Sequence, residues 1–113
     1  ASGFISVDNN SNNIVAAGSN GTIWFANING TGWTKTSASG FQQVSVAPSG
    51  AIYAVGTNGT LWSSSIANGG QNWNQMGITD VRAVDLNDTK IVAVKNDGTI
   101  WYKDLSSTSI TLT

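Results

Sequence analysis

The chain has 113 residues, of which 40% are apolar and only 10% charged, with a formal net charge of -1, no histidine and no cysteine. That is room for one domain with a core, and against the roughly 25% charge of ordinary globular proteins its surface has to be made of Asn, Ser, Thr, Gln and Gly. The balance excludes the basic footprint that nucleic acid or an anionic membrane would need, and it removes disulfides, thiolate metal sites and every His- or Cys-based catalytic device.

In chain order, the first β-rich run is ISV at residues 5–7, followed by IVAAGSNGTIWFANI at 14–28 and GWTKT at 32–36. The same order returns as VSV at 44–46, IYAVGTNGTLWSSSI at 52–66 and NWNQM at 72–76. It returns again as RAV at 82–84, IVAVKNDGTIWYKDL at 91–105 and SITLT at 109–113, with Ile110 in the place of Trp33 and Trp73. The three fifteen-residue segments align without a gap at offsets of 38 and 39 residues. Ile14, Ala16, Gly21, Thr22 and Trp24 are identical to Ile52, Ala54, Gly59, Thr60 and Trp62 and to Ile91, Ala93, Gly98, Thr99 and Trp101.

An apolar β-branched run, then Asn-Gly or Asp-Gly, then a second β-rich run predicts a hairpin, and the dipeptide suits a type I′ turn. With one strand before each hairpin and one after it, each repeat holds four short strands. No stretch has helical periodicity, no apolar run approaches the roughly 18 residues of a membrane-spanning helix, and no signal pattern opens the chain. The fold class expected is all-β: a β-propeller of four-stranded blades, three per chain, with repeats at about 1–37, 38–76 and 77–113. Stacked blades bury both sides of their inner strands, which accounts for IVAA and IYAV being continuously apolar. Ala16, Ala54 and Ala93 let sheets approach, and Trp24, Trp62 and Trp101 are read as packing wedges between blades.

The order Trp, Gly, VSV, short turn, apolar strand, Asn-Gly and a further strand is clearest at residues 33–62, WTKTSASGFQQVSVAPSGAIYAVGTNGTLW. In this the chain resembles the tectonin family, over essentially its whole length as three units. Tyr53, Val15 and Val92 stand where that family often has Trp. The resemblance implies a propeller that binds carbohydrate, with sugars between or on the blades, and a role in recognising microbial or foreign glycans.

Rings of this type need about four to eight blades. Three blades leave two apolar faces open, and the expectation is a homodimer whose two chains complete one six-bladed ring. Charge is uneven: residues 1–76 hold only Asp8 and Lys35, whereas the third repeat holds Asp80, Arg82, Asp85, Asp88, Lys90, Lys95, Asp97, Lys103 and Asp104. Solvent-facing drift accounts for this most simply; charges that fix the order of the blades are the alternative.

No enzyme is expected. All six acids are Asp. A glycosidase needs two carboxyl groups facing one cleft about 5 to 9.5 Å apart. Asp80 with Asp85, or Asp85 with Asp88, could come close in space, but both pairs fall at strand ends and loops, where carboxylates are solvated. DLNDTK at 85–90 lacks the Gly and distal Glu of an EF-hand loop, so no metal or other cofactor is assigned.

Sugar recognition fits what is present, because a pyranose wants an aromatic platform with neutral amide and hydroxyl partners. Trp33 and Trp73 are the leading candidates, since each follows a Gly/Asn loop of differing length and has no counterpart in the third repeat. Lys35, Asn72, Asn74 and Gln75 are candidate hydrogen-bond partners, with Phe25 and Tyr102 as further stacking surfaces. A blade-packing role for Trp33 and Trp73 is the competing reading. The function expected is a multivalent, haemagglutinin-like lectin binding glycans, with a protein–protein interaction propeller as the alternative; composition leaves the compartment open.

Overall fold

The computed structural model describes residues 3–86, 89–104 and 111–112. Among these residues twelve strands form three four-stranded antiparallel sheets, each a simple meander. Blade one is β1 (Phe4–Asn9), β2 (Asn13–Gly18), β3 (Ile23–Asn27) and β4 (Thr34–Lys35). Blade two is β5 (Phe41–Val46), β6 (Ala51–Gly56), β7 (Leu61–Ser65) and β8 (Asn74–Gln75), and blade three is β9 (Val81–Leu86), β10 (Lys90–Lys95), β11 (Ile100–Asp104) and β12 (Thr111–Leu112). This is a β-propeller arrangement of stacked blades. Asn87, Asp88 and Ile110 lie outside the described residues.

The turn between the second and third strands differs from the type I′ form suggested by Asn-Gly. Gly21, Gly59 and Gly98 have φ of 86°, 83° and 85°, but Asn20, Asn58 and Asp97 are not in the left-handed region. Each Gly N–H donates to the carbonyl three residues back, on Gly18, Gly56 and Lys95, at 3.0, 2.9 and 3.0 Å. That is a type I turn closed by a left-handed glycine, the three-residue hairpin loop with a bulge. One residue at positive φ suffices, and the Asn or Asp is held instead by its own side chain.

Alternation explains why the inner strands are apolar throughout. Ile52 and Ala54 of β6 join Val15, Ala17 and Ile23 of blade one in one core cluster with Phe41, Val44 and Val46. Tyr53 and Val55 of the same strand point the other way and join Leu61, Ile78, Val81, Ile91 and Ala93 between blades two and three. Successive strand residues face opposite sides, so a sheet covered on both faces needs apolar groups at both.

Polar contacts set the stagger of neighbouring blades. Ser6 Oγ accepts the Val44 N–H at 3.3 Å, and Gln43 Oε1 accepts the Val84 N–H at 3.0 Å from the equivalent place one blade on. Asp8 Oδ2 accepts from Ser45 Oγ at 2.8 Å and from Val46 N–H at 3.0 Å. The turn glycines add a backbone link: the Gly21 carbonyl accepts from Phe41 and the Gly59 carbonyl from Val81, at 3.0 and 2.9 Å.

Among the described residues nothing covers either end of the stack. Val7 is 67% exposed where its counterpart Val44 is 3% exposed, and Ile100 is 43% exposed where its counterpart Leu61 is 2% exposed. A Cβ on Gly21 or Gly59 would press on the next blade's backbone at Gly40 or Asp80, whereas one on Gly98 would meet nothing within 4 Å.

Candidate functional site

The repeated Asn/Asp-Gly-Thr-x-Trp segment is a hydrogen-bond relay. Trp24 Nε1 donates to Thr22 Oγ1 at 3.0 Å, and Thr22 Oγ1 donates to Asn20 Oδ1 at 2.7 Å. Trp62, Thr60 and Asn58 repeat it at 2.9 and 2.7 Å, and Trp101, Thr99 and Asp97 at 3.0 and 2.6 Å. A hydroxyl accepts and donates at once, so threonine joins the two others through its single oxygen. The relay fixes the edge of each indole and leaves the ring face available for packing.

In blades one and two that ring lines a cleft at the turn end of the sheet. The cleft of blade one, about 450 Å³, is walled by Phe4, Trp24 and Trp33 with Gly18, Asn20 and Thr22. The cleft of blade two, about 340 Å³, is walled by the equivalent Phe41, Trp62 and Trp73 with Gly56, Asn58 and Thr60, and by the linker residues Ser37, Ala38 and Ser39. Phe4 stacks on Trp33 at 5.4 Å between ring centres and 20° between planes; Phe41 meets Trp73 at 5.3 Å and 35°. Among the described residues no charged side chain lines either cleft.

Gly70 positions Trp73. Its carbonyl accepts the indole Nε1–H at 2.9 Å and the Ser37 N–H at 3.3 Å, tying the loop to the linker from blade one. A Cβ here would come within 2.2 Å of Thr36 Cγ2, and φ is 72°, so glycine alone fits.

Blade three departs from this pattern. Lys95 replaces Gly18 and Gly56, and its ammonium lies 4.9 Å from the centre of the Trp101 ring. Val81 stands in the place of Phe4 and Phe41. The Asp97 carboxylate, hydrogen-bonded by the Thr99 hydroxyl and N–H and attracted by Lys95, is held below its ordinary pKa.

The structure thus brings Trp33 and Trp73 each into a cleft and leaves the other sequence candidates outside. Lys35, Asn74 and Gln75 are exposed on the short outer strands, and Asn72 is an exposed loop residue at φ 56°. Phe25 packs on the core between blades one and two. Tyr102 lines a gap of about 10 Å³ between blades two and three and has the Lys90 ammonium 5.2 Å from its ring centre, with Lys90 paired to Asp104. Sequence reasoning passed over Phe4 and Phe41 and read Trp24 and Trp62 as wedges only. Trp62 is a wedge as well, packed on the core between blades one and two, where it also meets Phe41 of its own blade edge-on at 6.4 Å. The available signal was the column of Gly18, Gly56 and Lys95.

Of the acids, Asp85 is exposed on β9, and Asp80 has φ 59° with its carbonyl accepting from Asn96 N–H at 2.8 Å. Among the described residues no three acidic or other ligating side chains gather at one point.

No family model and no curated protein matches this sequence. Solved structures do match in fold, at low identity. The computationally designed Ika4 protein is 18% identical over 96% of this chain and 70% of its own, with a TM-score of 0.76. YCF48 from Cyanidioschyzon merolae is 16% identical over 96% and 36%, with a TM-score of 0.73. Prp20p from Saccharomyces cerevisiae is 12% identical over 90% and 31%, with a TM-score of 0.71. These neighbours are propeller proteins, and this chain spans about a third of the length of the two natural ones.

Proposed function

We propose that the chain is a non-enzymatic recognition module of propeller type whose partner is another protein, engaged at the turn-end clefts. The observation that carries this is the pair of equivalent, uncharged aromatic clefts on adjacent blades, each wide enough to take a side chain or a short segment. Aromatic pockets of this kind are where binding energy concentrates at protein interfaces. Support of a coarser kind comes from the neighbours: the structure of Prp20p is described with its binding to Gsp1p and histones, and a second describes it bound by Kap60.

A second reading has its own observation. The cleft walls combine aromatic faces with neutral amide and hydroxyl groups, Asn20 with Thr22 and Asn58 with Thr60. That combination suits a saccharide, and it agrees with the resemblance to tectonin-type lectins. Panning a displayed peptide library and probing a broad glycan array with the same labelled protein, each beside Trp62→Ala, decides between them. Peptides that lose binding in the variant support the first reading; glycans that do so, with no peptide, replace it by the second.

In either case the module works in a closed ring. We place a second copy against the uncovered faces, so that blade three of one chain packs on blade one of the other.

A further inference from the structure

Blade three shows what the aromatic face at this position can hold. Lys95 puts an ammonium 4.9 Å from the centre of Trp101, and an acid, Asp97, follows two residues on in the same turn, near enough to be attracted by it. A primary ammonium is compact and strongly hydrated, so it is comfortable over a ring when a carboxylate is near. In blades one and two, three features change together. Glycine at 18 and 56 removes the side chain, Asn20 and Asn58 remove the carboxylate, and the Phe4–Trp33 and Phe41–Trp73 pairs add aromatic wall.

An indole face stripped of its own cation, enlarged by further rings and lacking a counter-charge, selects a cation that is weakly hydrated. A methylated ammonium meets that description: its charge is spread over methyl groups that sit against ring faces, and it asks for few or no hydrogen bonds. We propose that the clefts of blades one and two each bind a methylated or quaternary ammonium group presented by a partner protein, over Trp24 and Trp62, where Lys95 lies in blade three. This rests on the protein-binding reading above and names the group recognised.

The experiment follows the five indole N–H signals of the intact chain by NMR at constant ionic strength. The probes are tetramethylammonium chloride, the neutral isostere 3,3-dimethylbutan-1-ol, and one peptide carrying either trimethyllysine or unmodified lysine. Tetramethylammonium and the trimethyllysine peptide are expected to shift Trp24 and Trp62 but not Trp101, with the unmodified peptide and the alcohol at least tenfold weaker. Gly56→Lys with Asn58→Asp transplants the blade-three arrangement and is expected to abolish the Trp62 response while the Trp24 response persists, which also reports that the protein is folded. Equal response to the alcohol, or a Trp62 response that survives the transplant, overturns the proposal. Equal response to the unmodified peptide overturns it and leaves the protein-binding reading standing. Response to tetramethylammonium with none to peptide overturns the assignment to a partner protein, and no response to any probe overturns the site.

Discussion

The indole Nε1 of Trp62 donates to Thr60 Oγ1 at 2.9 Å, and the same hydroxyl donates to Asn58 Oδ1 at 2.7 Å. Replacing Thr60 by valine keeps the shape and removes both bonds, leaving a half-buried N–H without its acceptor. The expected loss is about 1 to 2 kcal/mol of unfolding free energy, with Thr60→Ser retaining most of it. Urea denaturation of the two variants measures this, and a valine variant as stable as the parent would mean that the relay is decorative.

Gly70 is the tightest point of the loop that carries Trp73. Alanine there has to find space against Thr36 and adopt a φ of 72°. Gly70→Ala is expected to cost about 1 to 3 kcal/mol and to move the Trp73 indole signal. Gly30→Ala, at a φ of 81° with nothing within 4 Å, is expected to cost only the backbone term, about 1 kcal/mol.

The residue opening each blade is left-handed: Gly3 at 81°, Gly40 at 74° and Asp80 at 59°. Aspartate tolerates that conformation better than most residues but not as well as glycine. Asp80→Gly is expected to raise stability, by up to about 1 kcal/mol, read as a higher midpoint in thermal unfolding. Asp80→Val is expected to lower it.

Acid acts on blade three through its relay. Asp97 is held below the ordinary 3.8 chiefly by the Thr99 hydroxyl, with the Thr99 N–H and Lys95 adding to it. A depressed folded-state pKa means stability that is present above the unfolded value and lost as pH falls through the folded one. The Trp101 indole signal should therefore shift below pH 3.8, while Trp24 and Trp62, whose relays end on Asn, should not. In Asp97→Asn the acid transition at Trp101 is expected to vanish.

The uncovered faces give a mass. Burying a valine completely is worth roughly 1.5 to 3 kcal/mol, and Val7 is largely exposed where Val44 is buried. Light scattering after size exclusion is expected to return about twice the 11.7 kDa of the chain, and Val7→Asp is expected to return a folded species of single mass. A mass of one chain, about 11.7 kDa, at every concentration for the parent protein rejects the two-chain ring.

Much of the fold was legible locally. A hairpin is encoded within fifteen residues, and the 38- and 39-residue offsets repeat the code, so strand number, meander order and blade type follow from near-neighbour preferences that hold wherever the segment is placed. The turn type was misread because Asn-Gly is compatible with two hairpin loops, and the choice falls to where the Asn side chain bonds. Its partner, Thr22, is only two residues away, yet the pattern does not say whether that bond or a second positive φ is preferred.

The site was legible in kind and not in place. Trp33 and Trp73 stood out because loops of differing length precede them, but what they face depends on packing: Phe4 and Trp33 are far apart in sequence and stack only once β1 and β4 close the sheet from its two edges. Lys95 and Trp101 meet across a hairpin whose turn type decides which side chain lies over the ring. The sequence by itself determined that this protein repeats a four-stranded unit with an aromatic residue at a constant point. Which of those aromatic faces stay open was decided by the tertiary structure alone, because openness depends on what a neighbouring strand or blade lays across the ring, and that is a property of contacts between residues the sequence keeps apart.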